Sequence, residues 1–210
     1  MNRENEADSL IILLHGVGSN GQNMMALAHA WRETLPDSAF VAPDAPFAFD
    51  QGAGRQWFSI SGVTEQNRAE RIAAARPAFD RVVRGEIEKH GFADRVDRVA
   101  LVGFSQGSMM LLDVVATGRL PVAVGVAFAG RLGTPPPHDP ARGTRLLLLH
   151  GAADTVVPVE ELEQARTVLE ASGVAVESRV FPDVGHTIIP EAAMLAGEFL
   201  RASLAAEPVA

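Results

Sequence analysis

A serine between two glycines, a histidine far downstream and an aspartate between them could together support nucleophilic catalysis. Gly103-Phe104-Ser105-Gln106-Gly107 is a G-x-S-x-G pentapeptide that follows the apolar run Val99 to Val102 and precedes a helical pattern starting at Gln106. A sharp strand-to-helix turn holds such a serine in a strained conformation, and the glycines leave room for its neighbours. The helix N-terminus behind it offers free N–H groups and positive potential. The plain alternative is an ordinary serine helix cap. The strand before and the helix after favour the nucleophile.

A hydroxyl attacks well only when a base takes its proton. In this strand–turn–helix setting the partners follow in the order Ser, Asp or Glu, His. Downstream of Ser105 stand His138 in a Pro-rich stretch, His150 at the end of an apolar run, and His186 in Val184-Gly185-His186-Thr187. His186 comes after the last strand-like run and is the expected base; the alternative for it is a surface loop histidine. Asp154, in Gly151-Ala152-Ala153-Asp154, is the expected acid, holding the imidazole in one tautomer and stabilising the imidazolium. Its competitor is Asp183, in the same short loop as His186 and so poorly placed to orient the ring. An oxyanion hole needs two backbone N–H groups. Gln106 supplies one, and Val17 in His15-Gly16-Val17-Gly18 is expected to supply the other, with glycines allowing close approach. His15 is expected to make structural hydrogen bonds. His15, His150, Asp154 and His186 show no metal-ligand spacing, so no metal is expected.

These residues need elements that bring them to one edge. Apolar runs of strand length occur at Leu10–Leu14, Ala39–Ala42, Val99–Val102, Val122–Phe128, Leu146–Leu149 and Val174–Phe181. Most are apolar throughout, as strands covered on both faces must be. Helical patterns lie between and after them, at about Met24–Thr34, Glu65–Lys89, Gln106–Ala116, Val159–Ala171 and Pro190–Ala205. The alternation predicts a doubly wound α/β sandwich with one mostly parallel sheet and helices on both faces. Ligands in such sheets bind beyond the carboxyl ends of the strands. Two longer segments, 44–63 and 130–144, follow strand ends and are expected to overhang that edge.

At 210 residues the chain is expected to form a single domain over 1–210, with flexible tails at 1–8 and 206–210. The absence of cysteine excludes disulfides, thiolate metal sites and a cysteine nucleophile. A net charge of −8 disfavours nucleic acid and anionic lipid surfaces. The polar, acidic N-terminus carries no apolar signal core, and Leu10–Leu14 is too short to span a bilayer. A cytoplasmic protein without stable membrane insertion is expected, and a homodimer is compatible with the sequence. Arg68 to Arg84 carries several arginines interspersed with Glu70 and Asp80, the pattern of a solvated helix face.

Taken together, Leu14-His15-Gly16-Val17-Gly18, Gly103-Phe104-Ser105-Gln106-Gly107, His150-Gly151-Ala152-Ala153-Asp154 with Val157-Pro158, and Gly185-His186 resemble the phospholipase/carboxylesterase family, which includes bacterial carboxylesterases and acyl-protein thioesterases. Gly54-Arg55-Gln56-Trp57-Phe58-Ser59 resembles a segment of its bacterial members. The likeness runs over about residues 9–203. It implies the α/β-hydrolase fold, a compact serine hydrolase without a large lid, a Ser105–Asp154–His186 triad, and oxyanion donors at Val17 and Gln106. It implies no cofactor and a small acyl ester or thioester as substrate. By the same resemblance Trp57 and Phe58 border the acyl-binding groove; ordinary packing beneath the long loop is the equal alternative. One departure is Ser19-Asn20-Gly21, where many members have an Asp after the second Gly. The expected activity is hydrolysis of short- to medium-chain acyl esters through an acyl-enzyme on Ser105. The alternatives are an acyl thioesterase or lysophospholipase of the same fold and, more distantly, a non-catalytic binding protein on a hydrolase scaffold.

Overall fold

The computed structural model describes residues 7–205. Along the chain run β1 (Ser9–Leu14), α1 (Gly21–Trp31), β2 (Ser38–Val41), a short hairpin of β3 (Phe47–Ala48) and β4 (Arg55–Gln56), and α2 (Glu65–Lys89). Then come β5 (Val99–Phe104), α3 (Gln106–Thr117), β6 (Val124–Phe128), β7 (Arg145–Gly151), α4 (Glu160–Ala171), β8 (Ala175–Phe181) and α5 (Pro190–Ala205). Six strands form one sheet in the order β2-β1-β5-β6-β7-β8, and every neighbouring pair is parallel. This is the expected α/β-hydrolase architecture.

Strand alternation divides the core into two layers. Leu10, Ile12 and Leu14 of β1, Val99 and Leu101 of β5, and Leu146 and Leu148 of β7 pack under α2, α3 and α4. Ile11, Leu13, Ala100, Val102, Leu147 and Leu149 turn to the other face, under α1 and α5. Truncating one of these leucines to alanine costs about 2–5 kcal/mol, because the interior cannot collapse fully into the void.

The boundaries differ from expectation where a local bond outweighs periodicity. α1 starts at Gly21 rather than Met24, because Asn20 Oδ1 accepts from Asn23 N–H and caps the helix there. β8 departs from the two-sided pattern: Glu177, Ser178 and Arg179 are exposed, because β8 is an edge strand. Within the segment 44–63 the small β3–β4 hairpin was not foreseen. Of the tails expected to be flexible, residues 1–6 and 206–210 lie outside the described residues, while Asp8 N–H donates to Asp37 carbonyl at 2.8 Å. Among the described residues no helix is long and apolar enough to cross a membrane.

Candidate active site

Ser105 sits in the one-residue gap between β5 and α3 with φ 53° and ψ −114°. A non-glycine residue there stores about 1–3 kcal/mol of strain and persists only where its surroundings over-determine it. The surroundings here do so. Ser105 N–H donates to Phe128 carbonyl at 2.9 Å, tying the turn to β6. A Cβ on Gly103 would stand 2.5 Å from Ser108 N and 2.6 Å from Gly107 C. A Cβ on Gly107 would collide with the carbonyls of Leu14 and His15. The two glycines of the pentapeptide are therefore steric necessities, because the turn packs directly on the end of β1.

His186, in the loop after β8, reaches back to this turn. Its Nε2 lies 2.9 Å from Ser105 Oγ, and its Nδ1 lies 2.7 Å from Asp154 Oδ2. An ionised carboxylate only accepts, so Nδ1 carries the proton and Nε2 is left to accept from the hydroxyl. The imidazole lies tilted against Phe104, with ring centroids 4.9 Å apart and planes at 42°, which limits its rotation.

Asp154 follows β7, and its carboxylate is fully covered. Oδ1 accepts from Val156 N–H at 2.8 Å and Val157 N–H at 2.9 Å. Burial alone would raise its pKa, but His186 and the two N–H groups outweigh burial and hold the group below its ordinary value. Asp154 is thus a fixed anion facing the imidazole. Asp183, the competitor, is exposed on a left-handed turn at φ 56°. His150, set aside in the sequence as base and as metal ligand, has its buried Nε2 2.9 Å from Val157 carbonyl and 3.3 Å from Asp154 Oδ2.

Val17 and Gln106 lie where β1 and β5 end. Gln106 is the first residue of α3, so its N–H has no carbonyl one turn back within the helix. In the β1 loop Gly18 N–H donates to Arg55 carbonyl and Ser19 N–H to Gly16 carbonyl. Val17 N–H has no backbone acceptor among the described residues. His15 is structural, as expected: Nδ1 lies 2.7 Å from Gly16 carbonyl, and Nε2 accepts from Ala45 N–H at 3.0 Å. Asn20 Oδ1 caps α1 by accepting from Asn23 N–H at 3.2 Å, and Asp44 Oδ1 accepts from Gly21 N–H at 2.8 Å.

Of the two readings of Trp57 and Phe58, their burial favours packing beneath the loop. Trp57 is fully buried, donates from Nε1 to His15 carbonyl at 2.9 Å and sits edge-on to Phe79. It offers no surface to a groove, and Phe58 is nearly as covered. Their side chains pack beneath the loop, and their backbone faces Gln106: Trp57 N–H donates to Gln106 Oε1 at 2.8 Å, and Gln106 Nε2 donates to Phe58 carbonyl at 2.7 Å.

The fold and the sequence have counterparts in known proteins. Esterase YpfH of Escherichia coli (strain K12) is 32% identical over 195 residues, which is 93% of this chain and 83% of that protein. Acyl-protein thioesterase 1 of Gibberella zeae is 26% identical over 217 residues, covering 92% of this chain and 90% of that one. The crystal structure of esterase PE8 superposes with a TM-score of 0.81 at 32% identity, covering 94% of each chain. The Bacillus cereus carboxylesterase shares the fold at a TM-score of 0.79 and 14% identity, over 93% of this chain and 88% of that one. The family model described as Phospholipase/Carboxylesterase matches residues 1–204, and on that match the chain belongs to the phospholipase/carboxylesterase family of hydrolases.

Proposed function

We propose that the chain is a serine carboxylesterase that hydrolyses short- to medium-chain acyl esters through an acyl-enzyme on Ser105. The observation that carries this reading is the line of contacts from Ser105 Oγ through the His186 ring to Asp154 Oδ2. Ser105 attacks the acyl carbonyl while His186 Nε2 takes its proton, and Asp154 stabilises the imidazolium. Val17 and Gln106 N–H groups receive the oxyanion. His186 then returns the proton to the leaving alcohol, and water repeats the cycle to release the acid. Every group these steps use is a side chain or backbone N–H of this chain, so the reading requires no cofactor. On this reading the enzyme acts in the cytoplasm on small-molecule esters.

A thioesterase is the second reading, favoured by the likeness to acyl-protein thioesterase 1. The two differ in the leaving group alone. The test is kcat/KM on p-nitrophenyl esters from acetyl to palmitoyl and on acyl-CoA thioesters, for wild type and Ser105→Ala. The esterase reading expects a peak at one chain length on the oxygen esters and a loss of about 10⁴-fold or more in the variant. Faster turnover of the thioesters moves the second reading forward. Equal turnover in both proteins would sink the nucleophile assignment and favour a binding protein on a hydrolase scaffold.

A further inference from the structure

Beyond the catalytic residues, one cavity of about 450 Å³ is bounded by the first turn of α2, the loop after β6 and the first turn of α4. Arg68, Arg131, Thr134 and His138 line it together with Glu65 and Glu161. Arg131 is the unusual member. Its side chain is 11% exposed, Nη1 is held by Glu161 Oε1 at 3.1 Å, and Nε is buried without a hydrogen-bond partner. A buried donor left unpaired is costly, and a buried guanidinium more so. Burial, with Arg68 adding to it and Glu161 opposing it, lowers the proton affinity of Arg131. Arg68 is half-buried, packs its stem near Gly133, and has no carboxylate at ion-pairing distance among the described residues. Two guanidinium groups thus share a concave site with Glu161, which is bonded to Arg131, and Glu65, which acts on Arg131 at longer range, while Arg68 has no ion-pair partner among the described residues.

The cavity is also close to the chemistry. Arg131 is three residues beyond Phe128, whose carbonyl holds Ser105 N–H at 2.9 Å. Three residues of chain reach at most about 10 Å. The Asp154 carboxylate is near enough to act electrostatically on Arg131.

We propose that Arg68 and Arg131 form a subsite for an anionic oxyacid group, a carboxylate or a phosphate, carried by the ester substrate at the end away from the scissile bond. Guanidinium forks match the paired oxygens of either group, and the bound anion supplies the ion-pair partner that Arg68 lacks. The inference rests on the esterase reading and narrows its substrate class to esters bearing a negative charge.

The test compares kcat/KM for mono-p-nitrophenyl glutarate with that for neutral p-nitrophenyl butyrate in wild type, Arg68→Gln and Arg131→Met. The neutral ester is the internal reference, and Arg68→Gln, on a half-buried helix position, guards against misfolding of the more buried variant. The glutarate-to-butyrate ratio is expected to fall at least about tenfold in Arg68→Gln, the value of one charge-assisted bond. A second arm titrates glutarate and inorganic phosphate into Ser105→Ala by calorimetry, with and without Arg68→Gln. Binding of glutarate that Arg68→Gln abolishes supports a carboxylate ligand; the same result with phosphate supports a phosphate ligand. A ratio unchanged in both variants, with neither anion bound, overturns the proposal. If neither ester is hydrolysed in a Ser105-dependent way, the esterase reading fails, and the calorimetry still decides the anion site.

Discussion

Trp57 N–H donates to Gln106 Oε1 at 2.8 Å, so the residue after the proposed nucleophile also holds the loop that covers the site edge. The other end of the same carboxamide donates to Phe58 carbonyl at 2.7 Å, and both bonds are buried. One side chain thereby couples the position of the Gln106 backbone N–H to the β4–α2 loop. Gln106→Ala would strand a buried N–H and a buried carbonyl, at about 1–3 kcal/mol each. The expected outcome is a loss of about 2 kcal/mol or more in urea unfolding, together with a lower kcat. An unchanged unfolding midpoint would show that the clamp contributes nothing.

Asp154 carries a prediction in the acid range. Burial raises its pKa, but His186 and the N–H groups of Val157 and Val156 outweigh burial, so its folded pKa lies below the ordinary 3.8. A carboxylate depressed on folding contributes stability above its unfolded pKa and loses it as pH falls through the folded value. The wild type should therefore lose urea stability as pH drops below about 4 more steeply than Asp154→Asn does. Parallel curves for the two proteins would refute the assignment of this slope to Asp154. At neutral pH the same variant should lose about 10⁴-fold in kcat, since an amide in place of the carboxylate can favour the wrong imidazole tautomer.

The difference between what was legible in the sequence and what was not follows from the range of the forces involved. Strands such as Leu10–Leu14 are read directly because covering both faces forces a continuous apolar run. The elbow is read because the G-x-S-x-G pattern is local in sequence, although only the Gly103 collision is local and the Gly107 collision is with the distant end of β1. β8 was read as a strand over Val174–Phe181, but its place at the sheet edge, which exposes Glu177, Ser178 and Arg179, depends on strand order and was not legible. Trp57 could have faced a groove or the core, and its bond to His15 carbonyl, across 42 residues of sequence, decides for the core. Asp113 left no sequence signal, since its partners lie on α2, beyond the end of α3 and in the loop after β6.

Those partners lead to a third prediction. Asp113 is fully buried and receives Arg76 through Nε at 3.0 Å and Nη2 at 2.8 Å, Arg119 Nη1 at 2.7 Å, and Thr134 Oγ1 at 2.5 Å. Thr134 stands beside the prolines of the 130–144 segment, so this carboxylate anchors that loop to α2 and α3. Asp113→Ala removes one of the two carboxylates of the largely covered Arg119, which keeps Asp80 Oδ1 at 2.9 Å, and strands Thr134 Oγ1, so it should cost about 3 kcal/mol. Arg76→Ala leaves the carboxylate still paired with Arg119 Nη1 and Thr134 Oγ1, so it should cost clearly less. Urea unfolding of both variants checks the order, and a larger loss for Arg76→Ala would overturn it.

Glycine to alanine exchanges at two helical positions should move in opposite directions. Gly85 is exposed in the interior of α2, and a Cβ there meets nothing within 4 Å. Alanine removes the conformational freedom that glycine loses on folding, so Gly85→Ala should stabilise by about 0.5–1 kcal/mol. Gly107 lies in the first turn of α3, where the same Cβ would enter the space of the Leu14 and His15 carbonyls. Those carbonyls belong to the end of β1 and its loop, which also carries Val17, so the backbone cannot yield without moving both sides of the site. Gly107→Ala should therefore lose both stability and activity, whereas Gly85→Ala keeps full activity. Thermal unfolding and ester hydrolysis on the pair separate a helix-propensity effect from a steric one. If Gly107→Ala were as stable and as active as wild type, the contact between the elbow and β1 would be looser than the geometry requires.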